Sequence, residues 1–104
     1  MDAHILDRLY ATIERRKTAN VDESWTARLL AGAPALPARK LGEEATETII
    51  EAMRGDKDAL TAEAADLIYH LLVVLAAGGV RPEEVWRELE KREHQSGLAE
   101  KASR

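Results

Sequence analysis

Apolar residues recur along the chain at helical spacing, separated by short polar breaks. Ile5, Leu6, Leu9 and Ile13 share one face of a 3.6-residue period, which predicts a first helix over about 2–17. The stretch 18–23 is polar and reads as a loop. Ser24 is placed to cap a short helix over 25–31, which Gly32 closes. Pro34 and Pro37 punctuate the entry to a second long helix, about 38–54, with apolar positions Ala38, Leu41, Ala45, Ile49 and Ala52. Gly55-Asp56 is a stop and turn. A third long helix, about 58–77, repeats the pattern with Leu60, Ala64, Leu67, Leu71 and Val74, and ends at Gly78-Gly79. Pro82 suits the first turn of a fourth, running to about residue 94, with Val85, Trp86 and Leu89 inward. Residues 95–104 are assigned no element.

Composition agrees with this pattern. Ala supplies 18 residues and Leu 13, against 5 each of Val and Ile, a bias toward helix over sheet. At 104 residues without internal repeats or a dividing linker, the chain reads as one all-α domain, 1–104, a bundle of four to five helices. From Leu67 onward the third long helix is apolar nearly all round, so it must be covered on more than one side. A chain this short has few helices to spare. Homodimerisation is the economical expectation, with a central helix in a monomeric bundle as the alternative.

Several classes are excluded. Without cysteine there are no disulfides, thiolate metal sites or cysteine nucleophiles. The start, Met1-Asp2-Ala3-His4, has neither the basic flank nor the apolar run of a signal peptide. The longest apolar stretch, 67–80, is 14 residues interrupted by His70, where a membrane helix needs about 20. A net charge of −4 argues against nucleic acid. The expectation is a cytoplasmic protein with neither membrane nor nucleic acid as partner.

The charge is unevenly placed. Cations and anions balance in 1–33 and in 81–104, whereas 34–80 hold 4 cations and 8 anions. Within that segment, Glu44-x-x-Glu47 and Glu63-x-x-Asp66 each put two carboxylates on one helical face. Their helices are joined by a short turn, so they run antiparallel and adjacent, and suitable rotation brings all four carboxylates together. No Lys or Arg occurs between Asp58 and Gly79 to neutralise Glu63 and Asp66. An E-x-x-E in a chain with 13 Glu means little by itself; two such pairs on consecutive helices in the acidic segment mean more. An oxygen-only donor set points to Mg²⁺, with Mn²⁺ as the alternative, rather than zinc. His70 shares a side with Glu63 and Asp66 and reads as a hydrogen-bonded core residue rather than a ligand.

Lys40-x-Gly42-Glu43-Glu44-x-x-Glu47 followed by Glu63-x-x-Asp66-Leu67-x-Tyr69-His70 resembles the signature of all-α (MazG-like) nucleotide pyrophosphohydrolases. Ser24-Trp25-Thr26-x-x-Leu29 and the end, Ser96-Gly97-x-Ala99-Glu100-Lys101-Ala102-Ser103-Arg104, narrow the resemblance to the phosphoribosyl-ATP pyrophosphohydrolase family. It runs from about residue 6 to the last.

The resemblance implies Mg²⁺-dependent hydrolysis of a small-molecule nucleotide, phosphoribosyl-ATP, to phosphoribosyl-AMP and pyrophosphate in histidine biosynthesis. A separate cyclohydrolase would take the next step. It implies Glu44, Glu47, Glu63 and Asp66 as metal ligands, with Glu47 or Glu43 as acceptor of the water's proton. Lys40 is the candidate for a substrate phosphate, Ser24, Trp25 and Thr26 for the base or ribose, and Lys101 and Arg104 for the phosphate on the ribose. Trp25 has a second reading, as a core anchor. Two rivals stand beside this: a house-cleaning (deoxy)nucleoside triphosphate pyrophosphohydrolase, and a non-enzymatic helical dimerisation or adaptor module.

Overall fold

The structure, a computed structural model, describes residues 4–93. Five helices follow in order: α1 His4–Arg15, α2 Trp25–Ala31, α3 Ala35–Arg54, α4 Lys57–Ala77 and α5 Pro82–Arg92, with a 3₁₀ turn Arg16–Thr18 after α1. No strand occurs among the described residues, so the fold is all-α.

Helix ends follow local chemistry. The Ser24 side chain accepts from the Ala27 N–H at 3.1 Å, capping α2. The Asp56 side chain accepts from the Ala59 N–H at 3.0 Å, capping α4. Between α3 and α4, Gly55 takes the left-handed conformation (φ 75°) that a Cβ disfavours, so α3 stops and α4 starts within two residues. The tight turn sets the two long helices antiparallel, and this pair is the most extensive helix contact among the described residues. α5 opens with Pro82 at its first turn, and the Glu84 side chain accepts from the Arg81 N–H at 2.8 Å. α3 begins three residues earlier than the spacing predicts: Pro37 sits in its first turn, where no intrahelical N–H bond is lost.

The core lies at one end of the long hairpin. Tyr10 and Ile13 of α1, Leu29 of α2, and Leu72, Val73 and Ala76 of α4 form its buried cluster. The Tyr10 hydroxyl donates to the Val80 carbonyl at 3.0 Å, tying α1 to the loop before α5. Where α2 turns into α3, a Cβ on Gly32 would stand 2.8 Å from the Leu36 Cβ, so only glycine allows this approach.

The apolar positions of three helices are not all covered, and one of the three expected inward on α5 is exposed. Pro37 is the only buried residue of α3, and Ile49 is 63% exposed. On α4 the buried positions are His70, Leu72, Val73 and Ala76, while Leu71 is exposed. On α5, Val85 and Trp86 are half-buried but Leu89 is exposed. Spacing identifies an apolar stripe; it does not say that this chain supplies the cover. α4 is also long and apolar enough to cross a membrane by length and composition, 21 residues with mean hydropathy 1.6 in its most apolar window. The 14-residue stretch 67–80 leaves out the more polar first half of the helix, 57–66. Glu63 and Asp66 on one side and α1 and α2 on another make α4 a central bundle helix.

Gly32→Ala is expected to destabilise the fold by about 1–3 kcal/mol, the usual cost of overpacking. For a domain of this size that is a drop of several degrees in Tm, about 4–8 °C per kcal/mol. An unchanged thermal melt would mean that Leu36 moves aside freely.

Candidate metal centre

The antiparallel α3–α4 pair brings the two acidic motifs face to face. One carboxylate oxygen each from Glu44, Glu63 and Asp66 lie within 4.8 Å of one another. Glu47 borders this trio, its carboxyl within hydrogen-bonding reach of both Glu63 and Glu44. Thr48 sets the register: its hydroxyl bonds the Glu44 carbonyl at 2.8 Å and reaches across the interface to the Glu63 carbonyl at 3.3 Å.

Electrostatics gives the cluster its character. Oε2 of Glu44 and Oε2 of Glu63 are enclosed and have no donor partner. Hydrogen bonding to the Glu47 carboxyl, then burial and the charges of Glu47 and Glu44, push the Glu63 carboxyl up to about 7. Burial first, then Glu47, also raises Glu44. Two carboxyls share a hydrogen bond only when one holds a proton, so the metal-free cluster keeps protons that solvated glutamates would release. A divalent cation is the other way to neutralise it. Opposite ligands of a Mg²⁺ ion stand about 4.2 Å apart, so an all-oxygen trio within 4.8 Å fits a hard cation with small side-chain adjustments.

The remaining predicted residues divide. Glu43 faces away from the trio and pairs with Lys40 at 3.1 Å and with Arg39 at 3.6 Å. The Lys40 ammonium also lies 5.7 Å from the centroid of the Trp25 ring, a cation–π contact. Trp25 is 46% exposed, which rules out the core-anchor reading. The Ser24 hydroxyl is engaged in its cap, and the Thr26 hydroxyl is hydrogen-bonded to the Tyr69 hydroxyl. Lys101 and Arg104 lie outside the described residues. His70 is buried, as expected of a core residue, with Nδ1 2.7 Å from the Asp66 carbonyl oxygen. Two structural parts of the site were missed. Thr48 is marked only by standing one turn after Glu44; Tyr69 stands in the quoted signature, but its bond to Thr26 does not follow from it.

The family model for phosphoribosyl-ATP pyrophosphohydrolase matches residues 6–93. The chain belongs to this family. Its relatives include proteins named phosphoribosyl-ATP pyrophosphatase from Cereibacter sphaeroides (strain ATCC 17025), 60% identical over 96% of this chain and 97% of the relative. Another, from Roseobacter denitrificans, is 59% identical over 95% and 94% of the two chains. One from Azospirillum brasilense is 52% identical over 100% and 94%. Membership in the phosphoribosyl-ATP pyrophosphohydrolase family makes the chain a hydrolase of a phosphoric anhydride, and the acidic trio is its candidate site for a divalent metal.

The raised Glu63 pKa carries a stability consequence with a definite sign. Its folded value, about 7, lies above the ordinary 4.5, so ionising it is harder in the fold than in the unfolded chain. The metal-free protein therefore loses stability as pH rises from about 4.5 through about 7, and loses no more above that. A cation that binds the ionised cluster reverses the loss. Thermal midpoints measured from pH 5 to 8 are expected to fall without metal, and the increment from millimolar Mg²⁺ or Mn²⁺ to grow over the same window. Glu63→Gln is expected to flatten the metal-free profile and remove most of the increment. A metal increment independent of pH would contradict this account.

Proposed function

We propose that this chain hydrolyses phosphoribosyl-ATP to phosphoribosyl-AMP and pyrophosphate with Mg²⁺, the second step of histidine biosynthesis, in the cytoplasm. The observation that carries the reading is the convergence of Glu44, Glu63 and Asp66 from two helices in a member of this family. Water adds across the anhydride between the α- and β-phosphates, so the site must accept a proton from water and neutralise the pyrophosphate that leaves. A bound divalent cation supplies polarisation of the phosphoryl oxygens, acidification of water and charge neutralisation of the leaving group.

The chain's own residues do the rest. Glu44, Glu63 and Asp66 hold the cation, with Glu47 completing the acidic wall. Glu47 is also the better candidate than Glu43 to take the water's proton: it touches the cluster carboxyls, whereas Glu43 is engaged by Lys40 and Arg39. Trp25 offers an exposed ring for the base, and Lys40 beside it a cation for a phosphate once it leaves Glu43. Ser24 and Thr26 serve this reading by positioning Trp25, since both hydroxyls are already engaged. Lys101 and Arg104 remain the candidates for the phosphate on the ribose. A separate cyclohydrolase consumes the product.

The functional unit in this reading is a homodimer. Ile49, Ile50 and Met53 near the turn of the long hairpin, and Ile68 and Leu71 along α4, are exposed large apolar residues, Met53 at 84%. A second copy of this chain is a partner that covers them without any further protein. Exposed apolar surface of this kind supports the dimer, since large apolar patches mark interaction sites.

Pyrophosphate release from phosphoribosyl-ATP, run beside ATP, dUTP and dCTP with and without Mg²⁺, tests the activity. Fast, metal-dependent release is expected from phosphoribosyl-ATP, and Glu63→Gln or Asp66→Asn is expected to cost more than the about 10–100-fold typical of losing an outer-shell partner of a metal site. Release from the plain triphosphates instead would favour the house-cleaning rival, and none at all the adaptor. Light scattering tests the assembly: the wild-type chain is expected at twice 11.5 kDa, and the double variant Ile49→Lys with Met53→Lys at the single mass. A wild-type chain that scatters as a monomer would refute the dimer.

A further inference from the structure

We infer that Tyr69 is a positioning residue for the nucleoside end of the substrate: through the Thr26 hydroxyl it holds the Trp25 ring at a fixed place relative to the acidic trio. This rests on the substrate reading above and adds to it a residue that stands outside the trio.

α2 is 7 residues long, too short a helix to hold its own place. Its second half is anchored by Leu29, which is fully buried in the core. Trp25 stands at the other end, half-exposed, where burial does not fix it. The residue next to it does. The Thr26 hydroxyl is hydrogen-bonded to the Tyr69 hydroxyl, 43 positions away on α4. The phenol is stiffly held in turn: it packs against the core and meets the buried His70 ring edge-on, centroids 4.8 Å apart. An apolar contact at this joint would hold α2 down and let it slide, because such contacts have no direction. A hydroxyl pair is directional and admits one separation. Packing alone is served as well by Phe and Val at these two positions.

What the joint fixes is the ring relative to the carboxylates. From α3, the Lys40 ammonium stands 5.7 Å from the Trp25 centroid and is itself held by Glu43 at 3.1 Å. Lys40 is four residues before Glu44, and Tyr69 is three after Asp66. Each contact on Trp25 or its neighbour therefore leaves a helix one turn from a cluster carboxylate. The ring is referenced to both helices that carry the cluster, and Thr48 keeps those two in register. Loss of the Tyr69 hydroxyl leaves the carboxylates where they are and loosens the ring. The consequence is weaker binding of the nucleotide rather than slower chemistry.

Steady-state kinetics of the full chain on phosphoribosyl-ATP at saturating Mg²⁺ test this. Tyr69→Phe is expected to raise KM about 3–10-fold, the range of one net hydrogen bond, with kcat nearly unchanged. Thr26→Val is expected to do the same, and Thr26→Ser, which keeps a hydroxyl, to stay near the wild type. The double variant Thr26→Val with Tyr69→Phe is expected to be no worse than either single, as for two residues that act through one bond. Losses that multiply in the double variant, or a fall in kcat at unchanged KM, overturn the inference. A second readout is independent of turnover. With Trp86→Phe as background, Trp25 is the sole tryptophan. Its fluorescence anisotropy is expected to drop on Tyr69→Phe, while Mn²⁺ uptake, read by electron paramagnetic resonance, is unchanged. An anisotropy that stays put overturns the inference. Should Tyr69→Phe fail to fold, the Thr26 variants carry the same kinetics and anisotropy. A wild-type chain that releases no pyrophosphate from phosphoribosyl-ATP overturns the substrate reading instead, and the anisotropy still decides whether Tyr69 holds the ring.

Discussion

Mutual repulsion among the carboxylates between α3 and α4 is the constraint on which the other features depend. Glu44, Glu63 and Asp66 crowd within 4.8 Å and Glu47 presses on two of them, so the helices that carry them cannot be held together by that face. They are held elsewhere. The Gly55-Asp56 turn joins them at one end, and the core of α1, α2 and the last turns of α4 anchors the other. Between these, the Thr48 hydroxyl locks the local register by reaching the Glu63 carbonyl. The cost of the cluster is carried by the rest of the fold, and a cation bound there would offset it. Metal affinity and metal-free instability are thus two views of one arrangement.

Local signals were the readable ones. The Ser24 cap, the Gly32 close, the Gly55-Asp56 turn and Pro82 at the start of α5 depend on a few neighbouring residues, and the structure has them all. What periodicity could not supply was the partner of each apolar face. Ile49, Leu71 and Leu89 have the right spacing and no cover among the described residues, because spacing records that a face avoids water and not which molecule shields it. α4 was the hardest case. It is apolar nearly all round, so the choice of Leu72, Val73 and Ala76 for the core rests on where α1 and α2 dock.

The site was legible to the same depth. Two acidic pairs at i, i+3 on consecutive helices were enough to foresee convergence, since a short turn leaves antiparallel neighbours little choice. The order within the cluster was not foreseeable, because it turns on rotations of a few tens of degrees. Such a rotation puts Glu44 in the trio with Glu63 and Asp66, leaves Glu47 at its border, and turns the adjacent Glu43 to Lys40 and Arg39. Thr48 stands in no motif, and the signature that includes Tyr69 and His70 does not show what they touch. Their roles exist only once two helices are in contact.

Tyr69 and His70 also link the two parts of the proposed site. Tyr69 and His70 are neighbours on α4, yet they bind in opposite directions. Tyr69 meets Thr26, next to the exposed Trp25 ring, and His70 meets the carbonyl of Asp66 in the acidic trio. Consecutive helical residues are rigidly related, about 100° and 1.5 Å apart. The ring proposed to receive the base and the carboxylates proposed to hold the cation are therefore referred to one short piece of backbone. Motion of α2 relative to α4 would have to break the Thr26–Tyr69 contact before it changed the distance between them. This joint uses only hydroxyl and imidazole contacts, which leave the carboxylates free for the proposed cation.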